Sequence, residues 1–466
     1  MHVYGSDEAG TAIVTTATDI AQRVSASHAA DVHVLRARQG AAMSTTQSPM
    51  VTTDPLNASP RLYGEPHEVA PDVFMHPAFV NTYALRTPMG LLLIDPGLGN
   101  LAGTVHQAVR AWSDAPLHTA VYTHGHADHA FGLRPFLAAG ERPQIIAQEN
   151  CPQRFHRYHL THGWNARINQ RQFSLPQPMF PDHFDWPTLT FRESLTQRLG
   201  DLDVHYYAAK GETDDACYVW VPSRRYLFVG DLIIWQAPNC GNPQKVQRYP
   251  LEWANALEEM AGLEAEWLFP GHGIVVHGSD AVRMVLTDTA RYLRIIIDQV
   301  LERMNAGQTP EEIFHGVEPD PDLSTRPFLQ AKYDHPKFIV RNLLRLWGGW
   351  WNGNAADLLP APWGAQAAEI ARLAGGVAQL IARGRALLEQ GDTVMAAHVA
   401  EWATRAAPDD RVAQTLKRDV YARRLNEAEA MMAQGIYRAA MNDAKQALGE
   451  APESAAGLGM GLDRNH

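Results

Sequence analysis

Cysteine is scarce in this chain. Cys151, Cys217 and Cys240 are the whole complement of 466 residues, an odd number without the paired spacing of a zinc or disulfide framework. They read as free thiols in a reducing compartment, and none offers itself as a metal ligand. Long apolar runs are also missing. Runs such as Ile295-Ile296-Ile297 fall far short of the ~20 residues that span a bilayer, and residues 1–20 lack the basic start and apolar centre of a signal peptide. A cytoplasmic protein without an integral membrane segment is expected. Basic charge does not dominate: 40 Lys and Arg against 51 Asp and Glu leave a formal net charge of -11, which excludes a general binder of nucleic acid or anionic membrane. What is present is globular in composition, 45% hydrophobic with 12 Trp. The length exceeds the about 250–300 residues at which single cores stop growing, so more than one folded unit is expected.

The most concentrated chemistry lies at residues 123–129, Thr123-His124-Gly125-His126-Ala127-Asp128-His129, directly behind an apolar run ending in Val121-Tyr122. Three imidazoles and a carboxylate fall within six positions, which is metal-ligand spacing. So short a segment cannot aim all four groups at one ion. His124 and His126 are therefore assigned to one metal and Asp128 and His129 to another, giving a binuclear hydrolytic centre.

Other ligand-type residues recur where strands end. The run Leu91-Leu92-Leu93-Ile94 leads into Asp95-Pro96-Gly97, and Asp95 is placed to orient a ligating imidazole. Gly211-Glu212-Thr213 lies in a turn between strands expected at 203–208 and 217–221, Gly230-Asp231 closes a strand at 226–229, and Trp267-Leu268-Phe269 runs into Pro270-Gly271-His272. Further strands are expected at 80–86, 119–122, 145–147 and 188–192, with a helix over 105–112 between them, so α and β elements alternate.

This ordered set resembles the metallo-β-lactamase superfamily over about residues 62–280. The resemblance implies an α+β fold, an αββα sandwich with a binuclear site at one edge of its two sheets. It implies that His124 and His126 hold the first metal, that Asp128, His129 and His272 hold the second, and that Asp231 bridges them. Asp128 and Asp231 are the candidate catalytic carboxylates. Most members carry Gly-His-Thr where this chain has Gly211-Glu212-Thr213, so Glu212 replaces the third imidazole of the first site. The alkylsulfatase branch carries Glu there and shares the Val121-Tyr122-Thr123-His124 lead-in. Gly349-Trp350-Trp351-Asn352-Gly353-Asn354 and the helices over 365–448 are similar to the alkylsulfatase dimerisation domain. The chain departs from that branch in two places. The bridging acid is Asp where the branch uses Glu, and residues 232–248 lack its Thr-Leu-Arg segment.

The expected organisation is an extension over residues 1–60, a catalytic domain over 61–325, an all-α dimerisation domain over 326–450 and a tail over 451–466. Residues 1–60 and 451–466 read as disordered. In the helical part, residues 282–304 show helical spacing and Thr309-Pro310-Glu311-Glu312 is a capping-box start. Two segments 44 residues apart, at 387–391 and 431–435, read as paired repeat-type helices. Trp347, Trp350 and Trp351 read as an interdomain or intersubunit packing surface, and a homodimer is expected.

Carboxylate and imidazole donors without thiolate suit two Zn²⁺ per chain, with Mn²⁺ or Fe²⁺ as alternatives because Glu212 hardens the first site. A water bridging two such ions is deprotonated near neutral pH and supplies the nucleophile. The substrate is read as a small-molecule sulfate ester or similar anionic ester, against a carboxylic ester, lactone or phosphoester. A non-enzymatic scaffold is the remaining reading. Tyr158, Arg171, Asn239, Lys245 and Arg341 are the candidate substrate-binding residues.

Overall fold

The computed structural model describes residues 50–454. The expected tail beyond 454 and the extension before residue 50 lie outside the described residues. In chain order the first half runs β1 (Val51–Thr52), β2 (His67–Ala70), β3 (Val73–Pro77), β4 (Asn81–Thr87), β5 (Gly90–Ile94), α1 (Ala102–Trp112), β6 (Leu117–Val121), α2 (Ala127–Ala130), α3 (Arg134–Ala138), β7 (Gln144–Gln148), α4 (Cys151–Leu160), α5 (His162–Phe173) and β8 (Leu189–Phe191). There follow β9 (Ser194–Leu199), β10 (Leu202–Ala208), β11 (Cys217–Val221), β12 (Tyr226–Gly230), α6 (Pro250–Ala261), β13 (Trp267–Pro270), β14 (Val275–His277) and the 27-residue α7 (Ser279–Asn305). Eight further α-helices follow among the described residues: α8 (Pro310–Gly316), α9 (Pro321–Ser324), α10 (Pro336–Gly348), α11 (Trp363–Leu373), α12 (Val377–Glu389), α13 (Thr393–Ala406), α14 (Arg411–Glu427) and α15 (Met431–Leu448).

The strands form two seven-stranded sheets, ordered β2-β3-β4-β5-β6-β7-β8 and β1-β14-β13-β12-β11-β10-β9. Strand β5 reads Gly-Leu-Leu-Leu-Ile and is buried throughout, because one face meets the second sheet and the other meets helices. From β5 to β8 the strands are parallel, and β12 pairs with β13 in parallel. The main core fills the space between the sheets, and a second cluster, with Val105, Phe136 and Phe155, lies under α1, α3 and α4. This is the expected αββα sandwich, followed by a helical unit with its own small core around Leu380, Ala400 and Leu416. Among the described residues no helix is long and apolar enough to cross a membrane.

Three expectations about layout are corrected. The extension was drawn to residue 60, yet Val51 and Thr52 pair with Val275 and Val276 and Met50 is buried, so the sandwich begins earlier. The boundary at 325/326 has no counterpart in the packing. The amphipathic α10 lays Ile339, Val340 and Leu343 into the main core, which therefore continues past it. The two repeat-like segments also differ. Residues 387–391 end α12 at Gly391, whereas 431–435 open α15, with Gly435 backed against the Gln172 carbonyl. The capping box at Thr309 and Glu312 is formed as expected.

A candidate metal centre at the strand ends

The parallel strands point their C-terminal ends at one edge of the sandwich, and each delivers a polar residue there. At the end of β5, Asp95 adopts a left-handed φ of 51° and is buried. Its carboxylate accepts hydrogen bonds from the Thr123 amide at 2.8 Å, the Thr123 hydroxyl at 2.7 Å and His129 Nδ1 at 2.8 Å. That last bond fixes the orientation of the His129 ring and turns Nε2 towards Asp231. At the end of β6, the Gly125 amide donates to Asp215 Oδ2 at 2.9 Å, and Asp215 Oδ1 accepts from Arg154 Nε at 2.8 Å. This buried pair sets the backbone between His124 and His126.

At the end of β13, Asn81 Nδ2 donates to the carbonyls of Pro270 and Gly273 and Tyr83 donates to that of Pro270, pinning the turn that carries His272. His272 Nδ1 faces the Phe79 carbonyl, so its Nε2 points inward. The neighbouring turns leave no room for side chains. A Cβ on Gly271 would stand 2.4 Å from Asp231 Oδ1, and one on Gly230, whose φ is 49°, would stand 2.3 Å from Thr123 Oγ1.

These supports converge on two sets of donors. His124, His126 and Asp231 form one and Asp128, His129 and His272 the other, with the donor atoms in each set within 4.8 Å of one another. Asp231 faces both: Oδ2 lies 3.8 Å from His124 Nε2, while Oδ1 lies 3.1 Å from His129 Nε2 and 3.2 Å from His272 Nε2. Asp128 Oδ2 is 3.6 Å from His129 Nε2 and 3.7 Å from His272 Nε2. Glu212 stands just outside the first set, its Oε1 3.7 Å from His126 Nδ1. That same oxygen accepts from Asn239 Nδ2 at 2.6 Å and pairs with the Arg248 guanidinium.

The electrostatics suit cations. Burial and the neighbouring His129 push the His124 pKa down to about 3, and burial with His124 and Arg154 holds His126 well below the usual range, so both imidazoles are neutral donors. Burial opposes charge on Asp231, but His129 and His272 outweigh it and keep the carboxylate ionised. Burial likewise opposes protonation of His129, and the carboxylates of Asp231, Asp95 and Asp128 outweigh it and raise its pKa. Burial, only partly offset by Arg248 and reinforced by Asp231, pushes Glu212 up to about 8. His129 Nε2, Asp231 Oδ1 and Glu212 Oε2 are buried with no hydrogen bond to a group outside the cluster. Once His129 and Glu212 give up the protons that their raised pKa values favour, all three offer lone pairs to a cation. A pair of divalent cations fits this donor set.

The candidate substrate residues separate. Asn239 holds Glu212. Lys245 is half-buried, donates to Asn169 Oδ1 at 3.1 Å, and is pushed down to about 8 by burial and Arg248. Three others are corrected. Tyr158 is packed in the core under α4 against Phe180 and Phe184, because its ring lies on the buried face of that helix. Arg171 is exposed and bonded to Gln244, and Arg341 is exposed over the Phe314 ring at 4.2 Å, on the face of α10 turned away from the core. Arg154, Asp215, Arg248 and Asn81 were not foreseen. The only sequence hint was the pair Asp214-Asp215 in the Glu212 turn. Tyr333 was also missed as a site neighbour: its hydroxyl accepts from Gln172 Nε2 at 3.3 Å, and burial with the nearby Glu212 and Asp128 raises its pKa.

Residues 76–272 match the metallo-beta-lactamase superfamily, so the chain carries a domain of that class. Residues 309–447 match the alkyl sulfatase dimerisation family, so the chain joins the two domains that its sequence led us to expect. A linear primary-alkylsulfatase of Pseudomonas sp. is 29% identical over 363 residues, 72% of this chain and 68% of that protein. An alkyl/aryl-sulfatase of Saccharomyces cerevisiae is 23% identical over 350 residues, covering 69% of this chain but 54% of that protein. The fold is shared with a stereoselective inverting sec-alkylsulfatase from Pseudomonas sp., at a TM-score of 0.74 and 21% identity over 81% of this chain and 65% of that one.

Proposed function

We propose that the protein is a binuclear metal-dependent hydrolase of sulfate esters. The observation that carries the reading is the shared carboxylate, Asp231, with one oxygen towards each of two donor sets in a chain whose relatives are alkylsulfatases. In this reading His124, His126 and Glu212 hold one metal, Asp128, His129 and His272 the other, and Asp231 both. Zn²⁺ is the proposed ion, since imidazole and carboxylate donors without sulfur suit it. Bound there, two divalent cations supply Lewis acidity and a water that ionises near neutral pH.

The remaining work falls to the chain. Asp95 keeps His129 in the tautomer that offers Nε2, and Arg154 with Asp215 keeps the two other imidazoles in register. Asp128, about one-fifth exposed, is the donor-set carboxylate open to solvent and would take up the proton released when that water ionises. The cations Lys245 and Arg248 lie beside Glu212 and supply positive potential for an anionic ester. Three buried free thiols support a cytoplasmic setting. The exposed aromatic segment around Trp350 supports a homodimer.

The test is metal-replete protein assayed on a linear alkyl sulfate, a carboxylic ester, a lactone and a phosphate monoester. The expected outcome is kcat/KM for the sulfate ester at least about a hundredfold above the others, because a site arranged around one anion leaves polar groups unpaired with the rest. A carboxylic ester or lactone turned over faster than the sulfate would overturn the reading.

A further inference from the structure

With a metal bound, Glu212 would bring a negative charge to a place where an imidazole would be neutral, and the structure shows what accompanies it. Arg248 is buried, with its guanidinium on Glu212 Oε1 and on the Asn239 carbonyl, and Asn239 Nδ2 occupies the same Glu212 oxygen at 2.6 Å. Glu212 Oε2 is buried beside Asp231, away from both of these partners. The carboxylate thus has one oxygen committed to Arg248 and Asn239 and the other turned towards the shared carboxylate.

Arg248 is itself held from the helical half of the chain. Its amide donates to Asn342 Oδ1 at 3.3 Å, its carbonyl accepts from Asn342 Nδ2 at 2.9 Å, and the buried Asp334 lies within electrostatic reach of its guanidinium. A buried guanidinium needs an opposite charge and cannot lose its own. Here the carboxylate beside the metal donors is the one it touches.

We infer that Arg248 is a positioning residue for Glu212, and that the buried Arg248–Glu212 pair acts as a single, nearly neutral donor to the first metal, so that neither residue can be exchanged without the other. The inference rests on reading Glu212 as a metal-holding carboxylate. It makes a specific claim about substitutions. Glu212→His supplies a neutral donor but strands the Arg248 charge next to the metal. Arg248→Met removes the counter-charge and one of the two groups that hold Glu212 in place. Joined in one protein, the two changes give a neutral donor in a neutral pocket.

The experiment is a titration of metal-stripped protein with Zn²⁺ against a chromophoric chelator, without substrate, on wild type, Glu212→His, Arg248→Met and the double variant. Each single change should weaken one of the two metals about ten- to hundredfold, the range found when a ligand's supporting partner is removed. The double variant should bind that metal within about threefold of wild type, and the other metal should be unaffected throughout. Arg248→Lys, which keeps the charge and is gentler on folding, should retain most of the affinity. If Glu212→His alone binds as tightly as the double variant, or Arg248→Met binds as wild type, the inference is overturned. Equal losses in Arg248→Lys and Arg248→Met would also overturn it, because charge would then not be what matters. Glu212→Ala separates premise from inference: an unchanged metal count there removes the ligand reading, whereas a lost metal that does not depend on Arg248 overturns the pairing alone. A protein that obeys this pattern yet leaves sulfate esters intact would sink the proposed function and not the pairing.

Discussion

Asp95 touches no donor set directly, yet three hydrogen bonds converge on its carboxylate. Replacing it by Asn keeps the shape and puts an amide hydrogen towards His129 or Thr123, so one bond is lost and the His129 tautomer is no longer enforced. Asp95→Asn should weaken the metal held by His129 about ten- to hundredfold while circular dichroism stays native, as checked by metal analysis after dialysis against a weak chelator. Two tightly held equivalents in that variant would show that Asp95 serves only to tie β5 to the Thr123 turn.

At this scale the site was legible in part, for a physical reason. His124, His126, Asp128 and His129 announce themselves because ligands on one turn share one segment, and Glu212, Asp231 and His272 because each follows an apolar strand. Arg248 and Asp215 carry no such mark. Their partners lie 36 and 61 positions away, Glu212 for one and Arg154 for the other, and a lone buried charge has no periodicity to betray it. The same ignorance of which helix face is buried misplaced Tyr158 and Arg341.

Elements were legible where apolar runs are bounded by Gly, Pro or Asp. Strands β4 to β8 and β10 to β13 could be read this way, and so could α7, whose apolar spacing is helical over residues 282–304. The two-residue β1 could not, since it is held only by pairing with β14 and by the burial of Met50. The stretch over residues 232–248, which the sequence marks only by the missing Thr-Leu-Arg segment, is ordered from α10 and the residues just before it. The Gly241 amide donates to Asp334, and a Cβ at Gly241 would stand 2.1 Å from the Phe338 backbone.

Beyond α10 the chain exposes Trp350 at 73%, Leu359 at 91% and Trp363 at 66%, an apolar stretch that a monomer leaves to water. A second copy is the expected cover, on a segment inside the dimerisation-family match. Light scattering should give twice the 51.6 kDa chain mass at micromolar concentration, and Trp350→Ala with Leu359→Ser should shift it towards monomer. A wild-type mass of one chain would show that this stretch serves something other than self-association.

In the whole molecule, two sheets bring together residues that lie up to about 180 positions apart, from Asp95 to His272. The helical half then reaches back through Asn342 and Asp334 to hold Arg248. The catalytic unit is therefore not finished at the last strand, which accounts for the absence of a packing boundary where the sequence suggested one.

The proposed function requires both donor sets to be filled for the chemistry to run. The direct measurement is to strip the protein with a chelator and restore Zn²⁺ in steps, following sulfate-ester turnover and bound metal in the same samples. Turnover should be negligible in the stripped protein, stay low below one equivalent, and reach a plateau at two per chain. Full activity at one equivalent, or activity that survives complete removal of metal, would contradict it.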